Sequence, residues 1–97
     1  MKAVFISYNQ AYGDEIVDIL DRQGQRGFTR FDGVSGRGSR DGIPHFNNHA
    51  WPEYNDAILV MVDDEKVPAL LRELDCKDKE TPDLGLRAFS WNIENIL

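Results

Sequence analysis

Six consecutive apolar residues, Ala57-Ile58-Leu59-Val60-Met61-Val62, constrain this chain more than any other feature. The run is far too short for a membrane span and is rich in β-branched types, so it reads as a strand that sends apolar side chains to both faces of a sheet. Such a strand has to be covered twice. A chain of 97 residues builds one core and no second domain, so cover for the far face has to come from another copy. The segment Ala3-Val4-Phe5-Ile6-Ser7-Tyr8 repeats the pattern, with Val4 and Ile6 on one side and Ala3 and Phe5 on the other. A wet face of that kind is an apolar patch that soluble monomers rarely carry. The pattern predicts a homo-oligomer joined through an open sheet face.

The remaining elements follow from periodicity. Tyr12, Ile16, Ile19, Leu20 and Gln23 fall at helical spacing, with Asp14 and Glu15 in the first turn, where they complement the helix dipole. Gly24 suits the left-handed stop after that helix. Residues 28–34 read as a second strand, in which Gly33 marks a bulge. Residues 35–55 show no period and are punctuated by glycines, Pro44 and Pro52, which predicts a long loop; loops of this length in small domains are usually functional.

The third strand then runs over 56–62, and Asp63-Asp64-Glu65 offers an N-cap and an acidic first turn. Val67, Leu70, Leu71 and Leu74 form an amphipathic helical stripe that tolerates Pro68 near its start. Residues 77–83 read as a charged connector, and Leu86-Arg87-Ala88-Phe89-Ser90-Trp91 alternates as a fourth strand. The order strand-helix-strand, long loop, strand-helix-strand predicts an α+β, ferredoxin-like βαββαβ domain over 1–97, with a four-stranded antiparallel sheet and both helices on one face.

Charge narrows the function. Seventeen acids against eleven bases give a net charge of −6, whereas a module that lives on nucleic-acid phosphates carries basic excess. An RNA-recognition domain shares the topology, but its aromatic sheet motif is absent. No apolar run approaches the ~18 residues of a membrane span, and the N-terminal run is too short for a signal peptide. The expectation is a cytoplasmic protein that does not insert into membranes. Cys76 is the only cysteine, so no disulfide framework exists within the chain. No Ser-His-Asp, Cys-His or HExxH arrangement appears, and Tyr8-Asn9-Gln10-Ala11-Tyr12-Gly13 lacks an acylphosphatase cradle, so no enzyme is expected.

Two constellations carry candidate chemistry. Gly36-Arg37-Gly38-Ser39-Arg40 combines glycines, which allow close approach of backbone N–H groups, with forked guanidinium donors suited to a phosphate or carboxylate. It closes a stretch, residues 22–40, in which Arg22, Arg26, Arg30, Arg37 and Arg40 face Asp32 alone, a local basic excess inside an acidic chain. His45 and His49, four apart, can share a divalent metal if the stretch turns helically, with Asp41 or Glu53 as further ligands; the alternative is polar loop residues or partner contacts. Trp51 reads either as an anchor that folds the loop back or as a hot spot for a partner.

Taken together, Met1-Lys2-Ala3-Val4-Phe5-Ile6, the helix with Asp14-Glu15-Ile16-Val17, the turn Gly24-Gln25-Arg26-Gly27-Phe28-Thr29 and the pattern Val34-Ser35-Gly36-Arg37-Gly38 resemble the first half of PII signal-transduction proteins. Ile58 to Val62, followed by Asp63-Asp64-Glu65-Lys66-Val67 and Leu70-Leu71-Arg72-Glu73-Leu74, resembles the second half. The resemblance is to a divergent, PII-like branch. It implies a homotrimer with inward-facing sheets, a long T-loop that engages a protein partner such as a membrane transporter, an enzyme or a regulator, and adenine nucleotides at subunit clefts between the T-loop base and the B-loop. By that resemblance Gly36, Arg37, Gly38 and Arg40 serve the ligand from one side. Gly85 and Arg87 are the counterparts left from a B-loop that reads Thr81-Pro82-Asp83-Leu84-Gly85-Leu86-Arg87 here. The family's Arg-Gln pair after the second loop glycine is replaced by Ser39-Arg40, and its basic C-terminal segment has no counterpart in the sequence. His45, His49, Trp51 and Tyr54 are the expected partner contacts. The alternative reading is a metal-binding or metal-tolerance protein of the CutA kind, or one serving cation efflux, that uses the loop histidines.

Overall fold

A computed structural model describes residues 1–37, 44–46 and 54–97. The chain runs β1 (Lys2–Asn9), a 3-10 turn (Gln10–Tyr12), α1 (Gly13–Arg22), β2 (Thr29–Val34), β3 (Gly36–Arg37), β4 (Pro44–His45), β5 (Asn55–Val62), a second 3-10 turn (Asp64–Lys66), α2 (Val67–Glu80) and β6 (Arg87–Asn92). The main sheet has the order β2-β5-β1-β6 with every neighbour antiparallel. This is the expected ferredoxin-like, α+β arrangement.

The register assigns each apolar residue to a face. Val4 lies opposite Val60 and Ile6 opposite Ile58, and these four pack with Ile16, Ile19 and Leu20 of α1 and Val67, Leu70 and Leu74 of α2. Full burial of such side chains stabilises by roughly 1.5–3 kcal/mol each, so this layer holds the subunit together. Leu84 and Leu86, in the segment before β6, close the same core.

The other face is open. Phe5 stands between Leu59 and Phe89, and Ala3 between Met61 and Trp91. Met61, Phe31, Trp91 and Phe89 are 38, 45, 50 and 58% exposed there. The segment 93–97 crosses one end of this face and encloses with Ala3, Leu59, Met61 and Trp91 a shallow cavity of about 540 Å³.

Local geometry bears out the turn glycines and corrects three other expectations. Gly24 and Gly33 have φ of 76° and 67°, and the β2–β5 register shifts between Phe31 and Val34, which places the bulge at Gly33. The stretch 35–55 is not wholly irregular, because β3 and β4 pair as a two-stranded ribbon; two-residue strands have no period to read. The charged connector expected over 77–83 is helical as far as Glu80. Its charges explain why: Lys77 and Lys79 sit at the negative end of the helix dipole. In addition Lys77 Nζ donates to Glu15 Oε1 of α1 at 2.7 Å. Upstream, Glu73 binds Arg22 and accepts from Gln23 Nε2 at 2.7 Å, contacts that hold its carboxyl below the usual range. Finally, Asp63 makes no side-chain capping bond, and Asp64 pairs instead with the N-terminal ammonium at 2.8 Å.

These contacts predict that Leu70→Ala lowers unfolding free energy by roughly 2–5 kcal/mol in urea denaturation. Asp63→Ala, which removes no capping bond, changes it by less than about 0.5 kcal/mol.

Candidate functional site

The polar residues that escape the apolar pattern gather at one end of the sheet. There the β3–β4 ribbon sets Gly36 opposite His45 and Arg37 opposite Pro44. His45 is 2% exposed. Its Nδ1 lies 2.5 Å from the Asn55 side-chain oxygen, an acceptor, so Nδ1 carries the proton in this contact. Asn55 Nδ2 in turn donates to Ser7 Oγ at 3.3 Å, and a Cβ on Gly36 would stand 3.4 Å from that same nitrogen.

The segment before β6 meets this cluster from the other side. Asn9 fastens it twice: its backbone N–H donates to the Leu84 carbonyl at 2.8 Å and its Nδ2 to the Asp83 carbonyl at 3.1 Å. Leu86 N–H donates to Asp78 Oδ1 at 3.0 Å. Between the two anchored leucines Gly85 adopts φ of 58°, and a Cβ there would come within 3.1 Å of His45 Cε1. Glycine at 85 is required twice over, by its left-handed backbone and by the imidazole against it. Arg87 follows on β6, exposed and opposite Ser7, with one guanidinium nitrogen donating to the Leu86 carbonyl at 3.1 Å.

On the helix-covered face of the same end, Tyr8 lies opposite Asp56. Asp56 Oδ1 accepts from the N–H of Gly33 at 3.0 Å, fixing the β2 bulge. Tyr8 is fully buried and its hydroxyl has no partner among the described residues. Burial, and after it the Asp56 carboxylate, pushes the phenol up to about 12.

The structure thus brings together three sequence-predicted residues, Gly36, His45 and Gly85, with Arg87 close along the chain. His45, read as a metal ligand or else as a polar loop residue or partner contact, is buried on β4 and docked against Asn55. Tyr54 is half-buried, and its carbonyl accepts from Gln10 N–H at 3.0 Å. Gly38, Arg40, His49 and Trp51 lie outside the described residues. Among the described residues no group of three or more His, Cys, Asp or Glu is placed to hold a metal. The basic stretch is less free than its sequence suggests, since Arg22 is bound to Glu73 and Arg30 Nε sits 2.9 Å from Asp32. Ser7, Tyr8, Asn9, Asn55 and Asp56 escaped the sequence reading. Their signal was polarity at the ends of otherwise apolar strands.

The phenol gives a test with a defined sign. Tyrosine in the unfolded chain loses its proton near pH 10 and Tyr8 in the fold near 12. Between those values the unfolded state binds fewer protons, so stability falls as pH rises, by up to about 2–3 kcal/mol. Tyr8→Phe is expected to abolish this alkaline slope while leaving stability at pH 7 equal or higher. Denaturation at pH 8 to 11, with absorbance at 295 nm, checks both.

No family model matches the sequence, and no curated protein does. Solved structures do. CPII from Thiomonas intermedia K12, bound to ADP, AMP and acetate, is 23% identical with a TM-score of 0.71 over 97% of this chain and 88% of that one. A PII-like signaling protein from Thermus thermophilus is 22% identical, with a TM-score of 0.65 over 95% and 85% of the two chains. A DUF3240 family protein from Shewanella baltica is 22% identical, with a TM-score of 0.65 over 98% and 92%. The likeness spans nearly the whole chain and is one of fold: this chain folds as a PII-like protein.

Proposed function

We propose that this is a PII-like regulatory protein of the cytoplasm, which senses a small anionic ligand at clefts between subunits and controls a protein partner through residues 35–55. The observation that carries this reading is the meeting of Gly36 and Gly85 around His45. The base of the long connection and the segment before β6 arrive at one place there, with Gly85 against the imidazole, Gly36 paired with His45 across the ribbon, and Arg87 two residues beyond Gly85. CPII, of the same fold, is bound to ADP and AMP in one structure and to ADP, AMP and bicarbonate in another. An adenine nucleotide, with Gly36, Arg37, Gly38, Arg40, Gly85 and Arg87 as its contacts, is the proposed ligand. Arg87, by resemblance the counterpart of the lysine in the family's B-loop, brings a fork of donors. The partner is a transporter, enzyme or regulator.

The open sheet face supports a trimer, the assembly in which inward-facing sheets cover one another. Phe89 and Trp91 on β6 are large aromatic side chains of the kind that anchor interfaces. Sedimentation velocity is expected to show a trimer at micromolar concentration, and Trp91→Glu to shift it towards monomer. A monomeric wild type overturns the assembly.

Isothermal titration with ADP and AMP tests the ligand. Binding is expected, and Arg37→Ala with Arg40→Ala should weaken it about tenfold or more, since hydrogen bonds to charged groups contribute about 1.5–3 kcal/mol each. A wild type that binds neither nucleotide overturns the ligand assignment.

A further inference from the structure

We infer that His45 is the residue that couples the segment before β6 to the β3–β4 ribbon. The inference deepens the proposed function, because it rests on Gly85 and Arg87 being the ligand's contacts. His45 is a wedge held from two directions. Asn55 Oδ1 grips Nδ1 at 2.5 Å, and the Gly85 backbone lies close enough to Cε1 that even a methyl group would intrude at 3.1 Å. Asn55 belongs to the central strand β5, and its amide is fixed by Ser7 of β1, so one side of the seat cannot give without disturbing the sheet.

The other side behaves differently. Leu84 and Leu86 are tied to Asn9 and Asp78, while Gly85 between them makes its close approach to a side chain that belongs to the ribbon. A change at Gly85 therefore has a short path outward, through the imidazole into β4 and across the pair Gly36–His45 into β3. Gly36 faces the same Asn55 amide, so the seat touches both strands of the ribbon. Interiors packed this closely transmit small displacements rather than absorbing them.

The seat also makes the sequence intelligible. A large ring at 45 needs a residue without a side chain at 85, and Asn55 supplies an acceptor at the point where Nδ1 emerges.

Amide hydrogen exchange of the intact protein, read on peptides covering 35–37, 44–46 and 84–86 with and without ADP, tests the coupling. In His45→Ala the ribbon amides are expected to exchange about tenfold faster, as loss of one seated hydrogen bond implies. Amides of β1 and β5 should stay unchanged, and His45→Gln, which keeps an amide donor, should restore part of the protection. Gly85→Ala should unseat the ribbon with His45 intact. With each protein saturated by ADP, as judged by its own titration, ADP is expected to change ribbon exchange in the wild type and not in His45→Ala. Ribbon exchange in His45→Ala equal to wild type, or an ADP response that survives the substitution, overturns the inference. A wild type that fails to bind ADP overturns the proposed ligand instead, and the ADP-free comparison of His45→Ala, His45→Gln and Gly85→Ala still decides the seat.

Discussion

The antiparallel pairing of β1 with β5 is the constraint on which everything else depends. Eight residues of each strand face one another from Lys2 with Val62 to Asn9 with Asn55. Because both strands are apolar on both faces, this one pairing creates two hydrophobic surfaces at once. The helices cover one of them through Ile16, Ile19, Leu20, Leu70 and Leu74. The second remains on the outside of the chain, with Phe31, Met61, Phe89 and Trp91 exposed on it. A chain built on this pair satisfies one face within its own fold and leaves the other to whatever covers it, which is the ground for the proposed trimer.

What was legible in the sequence is what local periodicity encodes. The stripes of α1 and α2, the two-faced strands and the glycines at 24 and 33 are each decided by residues within a few positions, so they could be read from the chain alone. The end of α2 could not. Lys77 looks like part of a solvated connector until Glu15 of the neighbouring helix supplies a partner, and that contact spans sixty-two positions. The ribbon was hidden for another reason: Gly36 and Arg37 acquire strand character only from pairing with Pro44 and His45. The candidate site was half visible. Glycine and arginine at the start of the long connection advertise an anion cradle by type, whereas Asn9, Asn55 and Ser7 are ordinary polar residues until the register of β1 and β5 aligns them.

The division of the central pair into an apolar body and a polar end has its own logic. From Ala3 to Ile6 the strand offers only packing, and from Ser7 to Asn9 it offers hydroxyl, phenol and amide groups. Buried polar atoms are tolerated only when bonded, and the amides of Asn9 and Asn55 meet this by fastening loops rather than one another. Asn9 secures the segment before β6, and Asn55 holds the imidazole of the ribbon. Asp56 does the same for the β2 bulge through Gly33. Three connections are thus tied to the same end of two strands. Tyr8 is the exception, since its hydroxyl finds no partner among the described residues, and burial raises its phenol above the ordinary tyrosine range.

The electrostatics of this end bear on how an acidic chain can hold an anion. A net charge of −6 opposes an anion at long range, but salt screens that field within about 8 Å at physiological ionic strength. Short-range donors decide the outcome inside that distance. Arg22 and Arg30 are committed to Glu73 and Asp32, which removes them from consideration. Arg87 is committed only in part: one guanidinium nitrogen donates to the Leu86 carbonyl, and the rest of the fork has no partner among the described residues. A tethered arginine loses less side-chain freedom on meeting a ligand than a lysine would, and it presents two parallel donors to a phosphate. Under the proposed ligand assignment, that pre-ordering is the physical means by which Arg87 would serve a phosphate with few glycines and no lysine beside it.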